Sequence, residues 1–280
     1  MRRGWVALGV VIGVASGSVG YAIAQSAGGT SDYNSGSETG VRPTGVGLPL
    51  IGESGTVGAP EYANALRGYH DSGQYDKDLA AVGAAARAYL DQRIAQNGKP
   101  ATSCKVTYKR THKRQNHRLV YRRFKRCTTT TPKPAKLAVV FDIDETSLSN
   151  YSFLEAGGFS EAGLVPAAIA GTSPAIQPTL ALFNDARSHG VATFFITGRP
   201  SQVESMTESN LKAQGYDGWT DIFFKPSSSG TEDFKSGQRA AIEKQGYDIA
   251  IDIGDQESDL DGGYADRDFK LPNPFYFISD

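Results

Sequence analysis

Cysteine is scarce in this chain: Cys104 and Cys127 are the only two in 280 residues. Neither follows the apolar run at the N-terminus, which argues against a lipid-anchored form. Histidine is nearly as rare. His70, His112, His117 and His189 are the full set, none in a setting suited to a nucleophile and two inside a basic segment, so covalent histidine chemistry has no support. No internal repeat is present.

Acidic residues are missing from one stretch altogether. Residues 104–127 carry ten Lys/Arg and no Asp or Glu. The formal net charge of −1 conceals this division: outside that stretch and the first 24 residues, 17 basic side chains face 30 acidic ones. A short cationic segment on an acidic body bears on partners rather than on fold. With Cys104 paired to Cys127, the segment becomes a hairpin turning at Gln115-Asn116. That register sets Lys105 opposite Arg126, Lys109 opposite Arg122 and Lys113 opposite Arg118. Like charges directly opposite destabilise a two-stranded ribbon; a disulfide closing a loop of this size offsets part of that, by about 3 kcal/mol. The hairpin is either a solvated decoration or the site of an anionic partner: cell-wall polymer, lipid surface or nucleic acid. Tyr108, Tyr121 and Phe124 suit base stacking and suit packing on the body equally.

The first 24 residues read as a secretory signal peptide, with Met1-Arg2-Arg3 ahead of an apolar core and Ala22-Ile23-Ala24 as a small-residue exit. An uncleaved anchor is the alternative. Both place the body outside the cytoplasm, secreted or at the cell surface. Residues 25–60 are Gly/Ser-rich and cannot bury enough apolar surface to order themselves, so they read as a flexible tether.

From Asp78 to Gln96 the apolar positions Leu79, Val82, Ala85, Ala86, Tyr89, Leu90 and Ile94 recur at helical spacing. Beyond the basic segment, strands alternate with helices. Strands are expected at Lys136–Phe141, Val191–Ile196, Asp221–Phe224 and Ile249–Ile253. Helices are expected at Thr179–Ser188, Ser201–Gln214 and Ser236–Gln245. Near-continuous apolar strands in βαβ order predict a parallel sheet covered on both faces, with ligands at the carboxyl ends of its strands.

The polar signatures fall at those ends. Asp142 and Asp144 follow the first strand, two residues apart and therefore on one face. Alone, such a pair allows a metal site, an acid/base pair or a turn. Thr197-Gly198-Arg199-Pro200 follows the second strand, Lys235 lies near the start of the third long helix, and Gly254-Asp255-Gln256-Glu257-Ser258-Asp259 follows the last strand. In order and type these resemble the four motifs of the haloacid dehalogenase (HAD) superfamily. The wording is most similar to its secreted acid phosphatases, the vegetative-storage-protein type and the bacterial class B and C enzymes. The closing Leu271-Pro272-Asn273-Pro274 with Phe275-Tyr276-Phe277 is similar as well.

The resemblance implies a HAD-like Rossmannoid α/β domain over residues 61–280 with a small cap at 151–178; the basic hairpin at 99–134 is an insertion without a counterpart in it. The resemblance also implies a Mg²⁺-dependent phosphomonoesterase. Asp142 would be the nucleophile and Asp144 the proton donor and acceptor. Thr197, Gly198, Arg199 and Lys235 would hold phosphoryl oxygens. Asp142, the carbonyl of Asp144, Asp255 and the supporting Asp259 would hold the metal. Three alternatives remain at the level of residues. Thr197-Gly198 could be only a strand-to-helix turn, Lys225 rivals Lys235, and Arg199 either contacts substrate or pairs on the surface. Ser147, Ser149 and Asn150 read as loop organisers. A short cap leaves the site open to small monoesters or to phosphates on larger molecules. A 5′-nucleotidase is the enzymatic alternative. A storage or polyanion-binding protein is the other, though none of Asp142, Asp144, Thr197, Lys235 or Asp255 is missing.

Overall fold

The computed structural model describes residues 41–42, 51–52, 60–112, 119–159 and 161–276. The expected signal peptide and most of the expected tether lie outside that set. Within the tether, two short strands, β1 (Val41–Arg42) and β2 (Ile51–Gly52), pair antiparallel. Among the described residues no helix is long and apolar enough to cross a membrane.

The body is built on a five-stranded parallel sheet of order β7-β6-β5-β8-β9. Its strands are β5 (Lys136–Phe141), β6 (Ala192–Thr197), β7 (Asp221–Phe224), β8 (Tyr247–Gly254) and β9 (Asp268–Lys270). The central strand β5 is buried from Leu137 onward. Its alternate side chains divide between two cores: Val139 and Phe141 join one, Ala138 and Val140 the other, as the two-residue period of a strand requires. Fully burying a side chain of Phe141's size contributes about 1.5–3 kcal/mol. The register of β8 against β5 slips between Ala138 and Val139. Ala250 and Ile251 of β8 consequently both enter the first core, while Ile249 enters the second.

Helices α1 (Pro60–Asp71), α2 (Gln74–Gln96) and α5 (Gln177–Ser188) contribute Leu66, Leu79 and Phe183 to the first core. Helix α7 (Thr231–Lys244) contributes Phe234 and Ile242 to the second. Two short helices, α3 (Tyr151–Ala156) and α4 (Leu164–Ala170), lie in the segment expected to be a cap. Helix α6 (Glu204–Ala213) follows a 3₁₀ turn at Ser201–Val203, so that segment is not one continuous helix. Helix α7 begins five residues before the expected Ser236. Glu232 and Asp233 fill its first turn, where acidic side chains meet the positive end of the helix dipole.

The basic segment forms the expected hairpin, β3 (Ala101–His112) against β4 (Leu119–Thr130), with Cys104 bonded to Cys127. Lys105 faces Arg126 and Lys109 faces Arg122 in the register. The expected turn and the Lys113–Arg118 pair lie outside the described residues.

Candidate active site

The chain leaves β5 toward β6 and β7 on one side, then returns to β8 on the other. This reversal opens a crevice beyond the carboxyl ends of the central strands. A cavity of about 520 Å³ lies there, lined on its polar side by Asp142, Asp144, Arg199, Lys235, Asp255 and Asp259. Ala162, Leu164, Val165 and Ala168 of the cap, with Val203 and Tyr276, form an apolar wall.

Asp142 extends the sheet, its N–H donating to the Ile253 carbonyl at 3.0 Å, while the Ser147 hydroxyl donates to the Asp142 carbonyl at 2.6 Å. Its carboxylate receives the Lys235 ammonium at 2.5 Å, and the same ammonium reaches Asp259 at 2.5 Å. Burial first, then the neighbouring Asp259, hold Asp142 well above the usual carboxylate range despite Lys235. Burial opposes charge on Lys235, but Asp142 and Asp259 outweigh it and raise the ammonium's pKa.

Asp144 points elsewhere. The Arg199 guanidinium grips it through Nε at 3.1 Å to both oxygens and Nη2 at 2.8 Å, and Asn150 Nδ2 donates to it at 2.7 Å. Burial alone would raise this carboxyl; Arg199 and Asn150 bring it below its ordinary value. Arg199 is 4% exposed and also donates to Thr207, so it is a buried clamp, which corrects the surface-pair alternative.

Asp255 sits in a dense network. It accepts from Thr146 at 3.1 Å and from Gln256 Nε2 and Asn273 Nδ2 at 2.7 Å each, and Lys270 donates to its carbonyl. Burial and Asp259 push its carboxyl up to about 6. Asp259 closes a capping box on helix α8 (Glu257–Leu260), accepting from the Gln256 N–H. Position 254 has to be glycine for the same reason: a Cβ there would collide with the Asp259 side chain.

Oxygens of Asp142, Asp255 and Asp259 lie within 4.8 Å of one another, all three buried. Three crowded carboxylates, two with pKa values driven upward although Lys235 pairs with Asp142 and Asp259, form a hard-oxygen donor set that fits a divalent cation. The Asp144 carboxylate is not in that group.

Gly198 and Arg199 line the cavity, whereas Thr197 lies behind them, fully buried, its hydroxyl accepting the Arg199 N–H at 3.1 Å. Lys225 also lines the cavity, but its ammonium donates to the Ser229 carbonyl at 2.9 Å. Lys235, not Lys225, touches Asp142. Asn150, read from the sequence as a loop organiser, holds the frame beneath these groups, whose other members sequence reasoning missed. Glu145 adopts a left-handed backbone (φ 52°) and is fully buried, accepting from the backbone and side-chain nitrogens of Asn150. The Ser173 hydroxyl in turn donates to Asn150 at 2.6 Å. Arg239, also fully buried, pairs with Asp252 at 2.8 Å and donates to the carbonyls of Asp259, Asp261 and Gly263. It thereby pins the loop that carries Asp255 and Asp259.

A parallel sheet ending in Asp142-x-Asp144, with a buried lysine and an acidic loop closing on the first aspartate, defines a HAD-type α/β protein. Residues 101–279 match the family described as HAD superfamily, subfamily IIIB (Acid phosphatase), and the chain belongs to it. The stem 28 kDa glycoprotein of Glycine max is 37% identical over 150 residues, 50% of this chain and 59% of that protein. Acid phosphatase 1 of Solanum lycopersicum is 34% identical over 150 residues, 50% of this chain and 58% of its own. Vegetative storage protein 1 of Arabidopsis thaliana is 32% identical over 147 residues, with 50% and 54% covered. The chain thus spans a little over half the length of these relatives. A class C acid phosphatase from Bacillus anthracis shares the fold at TM-score 0.53 and 18% identity, covering 77% of this chain and 86% of that one.

Proposed function

We propose that this protein hydrolyses phosphate monoesters as an extracytoplasmic, Mg²⁺-assisted acid phosphatase. The observation that carries the reading is the convergence of Asp142, Asp144, Arg199, Lys235, Asp255 and Asp259 on one cavity at the carboxyl ends of the central strands. Asp142 is the nucleophile, its carboxylate aimed into the cavity and its backbone fixed by Ile253 and Ser147. It forms an aspartyl-phosphate as the ester oxygen departs. Lys235 holds charge on the phosphoryl oxygens. Asp142, Asp255 and Asp259 would hold Mg²⁺, which neutralises charge on substrate and carboxylates alike.

Asp144 moves the proton. Clamped by Arg199 it is a carboxylate, ready to take a proton from the attacking water. Its donor role calls for the Arg199 fork to turn onto an incoming phosphoryl oxygen, which lifts the clamp and raises the Asp144 pKa. The disulfide supports an oxidising compartment. The cap side of the wall is aliphatic, built from Ala162, Leu164, Val165 and Ala168, and favours aliphatic leaving groups.

Hydrolysis of a monoester panel with and without chelator, repeated with Asp142→Asn, tests the reading. Activity is expected to require the divalent ion and to fall by at least about a thousandfold in the variant. Turnover that survives in Asp142→Asn would overturn the nucleophile assignment. Absence of turnover in the intact protein would favour the storage role named for some relatives.

A further inference from the structure

The β3–β4 arm has no part in the site above. Each strand is 12 residues long, giving a ribbon of about 40 Å. Every described side chain along it, residues 101–109 and 123–130, is exposed, so neither face packs on the body. No Asp or Glu occurs between residues 99 and 134 to neutralise it.

Cross-strand partners share a face, and the register assigns the cations to both. Lys105, Lys109 and Arg126 lie on one face with Phe124; Arg123 and Lys125 lie on the other with Tyr108. Lys105 directly faces Arg126, a pairing that repels unless an anion sits between. A planar anionic surface would meet one face and leave the other unneutralised. A flexible polyanion can follow both.

Each face also carries an aromatic ring in water, Tyr108 at 66% and Phe124 at 44% exposure. A polyanion without rings has no use for them, whereas bases stack on such rings while cations take the backbone. We propose that the β3–β4 arm binds single-stranded nucleic acid, with Lys105, Lys109, Arg123, Lys125 and Arg126 on phosphates and Tyr108 and Phe124 under bases. This binding is independent of the phosphatase chemistry.

Fluorescence anisotropy of a labelled oligodeoxythymidylate against the full, disulfide-intact chain tests it. Five phosphate contacts on a single strand give a log–log salt slope of about −3.5, so raising salt from about 50 to about 200 mM weakens binding about a hundredfold. Lys105→Gln with Arg126→Gln lowers the slope by about 1.4. Tyr108→Ala and Phe124→Ala each weaken oligonucleotide binding at least about fivefold and leave inorganic polyphosphate binding unchanged. Thermal melting and disulfide mass confirm that each variant is folded. No binding at low salt would overturn the proposal. Equal affinity for polyphosphate with no response to the aromatic variants would overturn the nucleic-acid assignment, as would binding to anionic vesicles alone.

Discussion

Replacing Lys235 by Met keeps a side chain of similar length and deletes its charge. The ammonium lies 2.5 Å from both Asp142 and Asp259, with side-chain exposures of 4%, 7% and 3% for the three residues. Removing one partner from a buried ion pair costs about 3–5 kcal/mol. In a domain of this size each kcal/mol moves the melting temperature about 2–4 °C, so the variant in chelator should melt about 6–20 °C lower. Magnesium should reverse most of that loss, because a divalent cation on Asp142, Asp255 and Asp259 supplies the missing charge. Lys235 also repels such a cation, so the variant should bind it more tightly; a tenfold gain adds about 1.4 kcal/mol of metal-dependent stabilisation. Turnover should nevertheless fall about 10²–10³-fold, as for other groups that stabilise transition-state charge. Melting curves in chelator and across a magnesium titration, paired with kcat, separate these effects. An equal drop in melting temperature with and without magnesium, and no gain in metal affinity, would refute the charge-balance account.

Three further outcomes are expected. In chelator, Asp255 titrates near 6 when folded against an ordinary value near 4. A raised carboxyl stabilises at low pH and loses that contribution as pH rises through about 6, so metal-free protein should lose stability from about pH 4 to 7, and Asp255→Asn should flatten that slope in melts across pH. Arg199→Gln removes the clamp that lowers Asp144; the alkaline limb of the kcat/KM–pH profile should move up by about 1–3 units, and an unmoved limb would detach Arg199 from proton transfer. Val165, 64% exposed on the apolar wall, should set leaving-group preference: kcat/KM for n-alkyl phosphates should climb up to about fourfold per buried methylene. Val165→Asp should flatten that series without changing turnover of the shortest member.

The inner strands were legible because burial on both faces leaves a near-continuous apolar record, and the half-exposed edge strand β7 because three of its four residues are apolar. Lys136–Phe141 and Asp221–Phe224 have the boundaries that pattern implies, and the motif residues stand at their ends. Helix starts were less legible. Pro226 through Gly230 reads as loop, and it is the acidic first turn of α7, not an apolar repeat, that extends the helix back to Thr231. Helix α1 was not read at all, although Leu66 and Tyr69 anchor it in the core. Ser147 and Asn150 were legible as loop organisers, but the more distant supports of the site were invisible for a different reason. Glu145 meets Asn150 locally, but Ser173 reaches Asn150 across 23 residues and Asn273 reaches Asp255 across 18. No local spacing encodes contacts that only the finished sheet creates.

The placement of charge explains why the site needs partners it can exchange. Arg199 is committed to Asp144, and Lys235 to Asp142 and Asp259. A phosphoryl dianion entering the cavity therefore finds cations already spoken for by buried carboxylates, and it must replace those carboxylates as their partner. Such an exchange leaves the displaced carboxylates to a metal ion or a proton, because a buried charge standing alone costs several kcal/mol. It also gives each carboxylate its moment of action. In the proposed mechanism Asp142 becomes an available nucleophile as Lys235 turns to phosphate, and Asp144 an available acid as Arg199 does. The paired aspartates at the end of β5 are thus held in waiting by the same two cations that substrate would draw away.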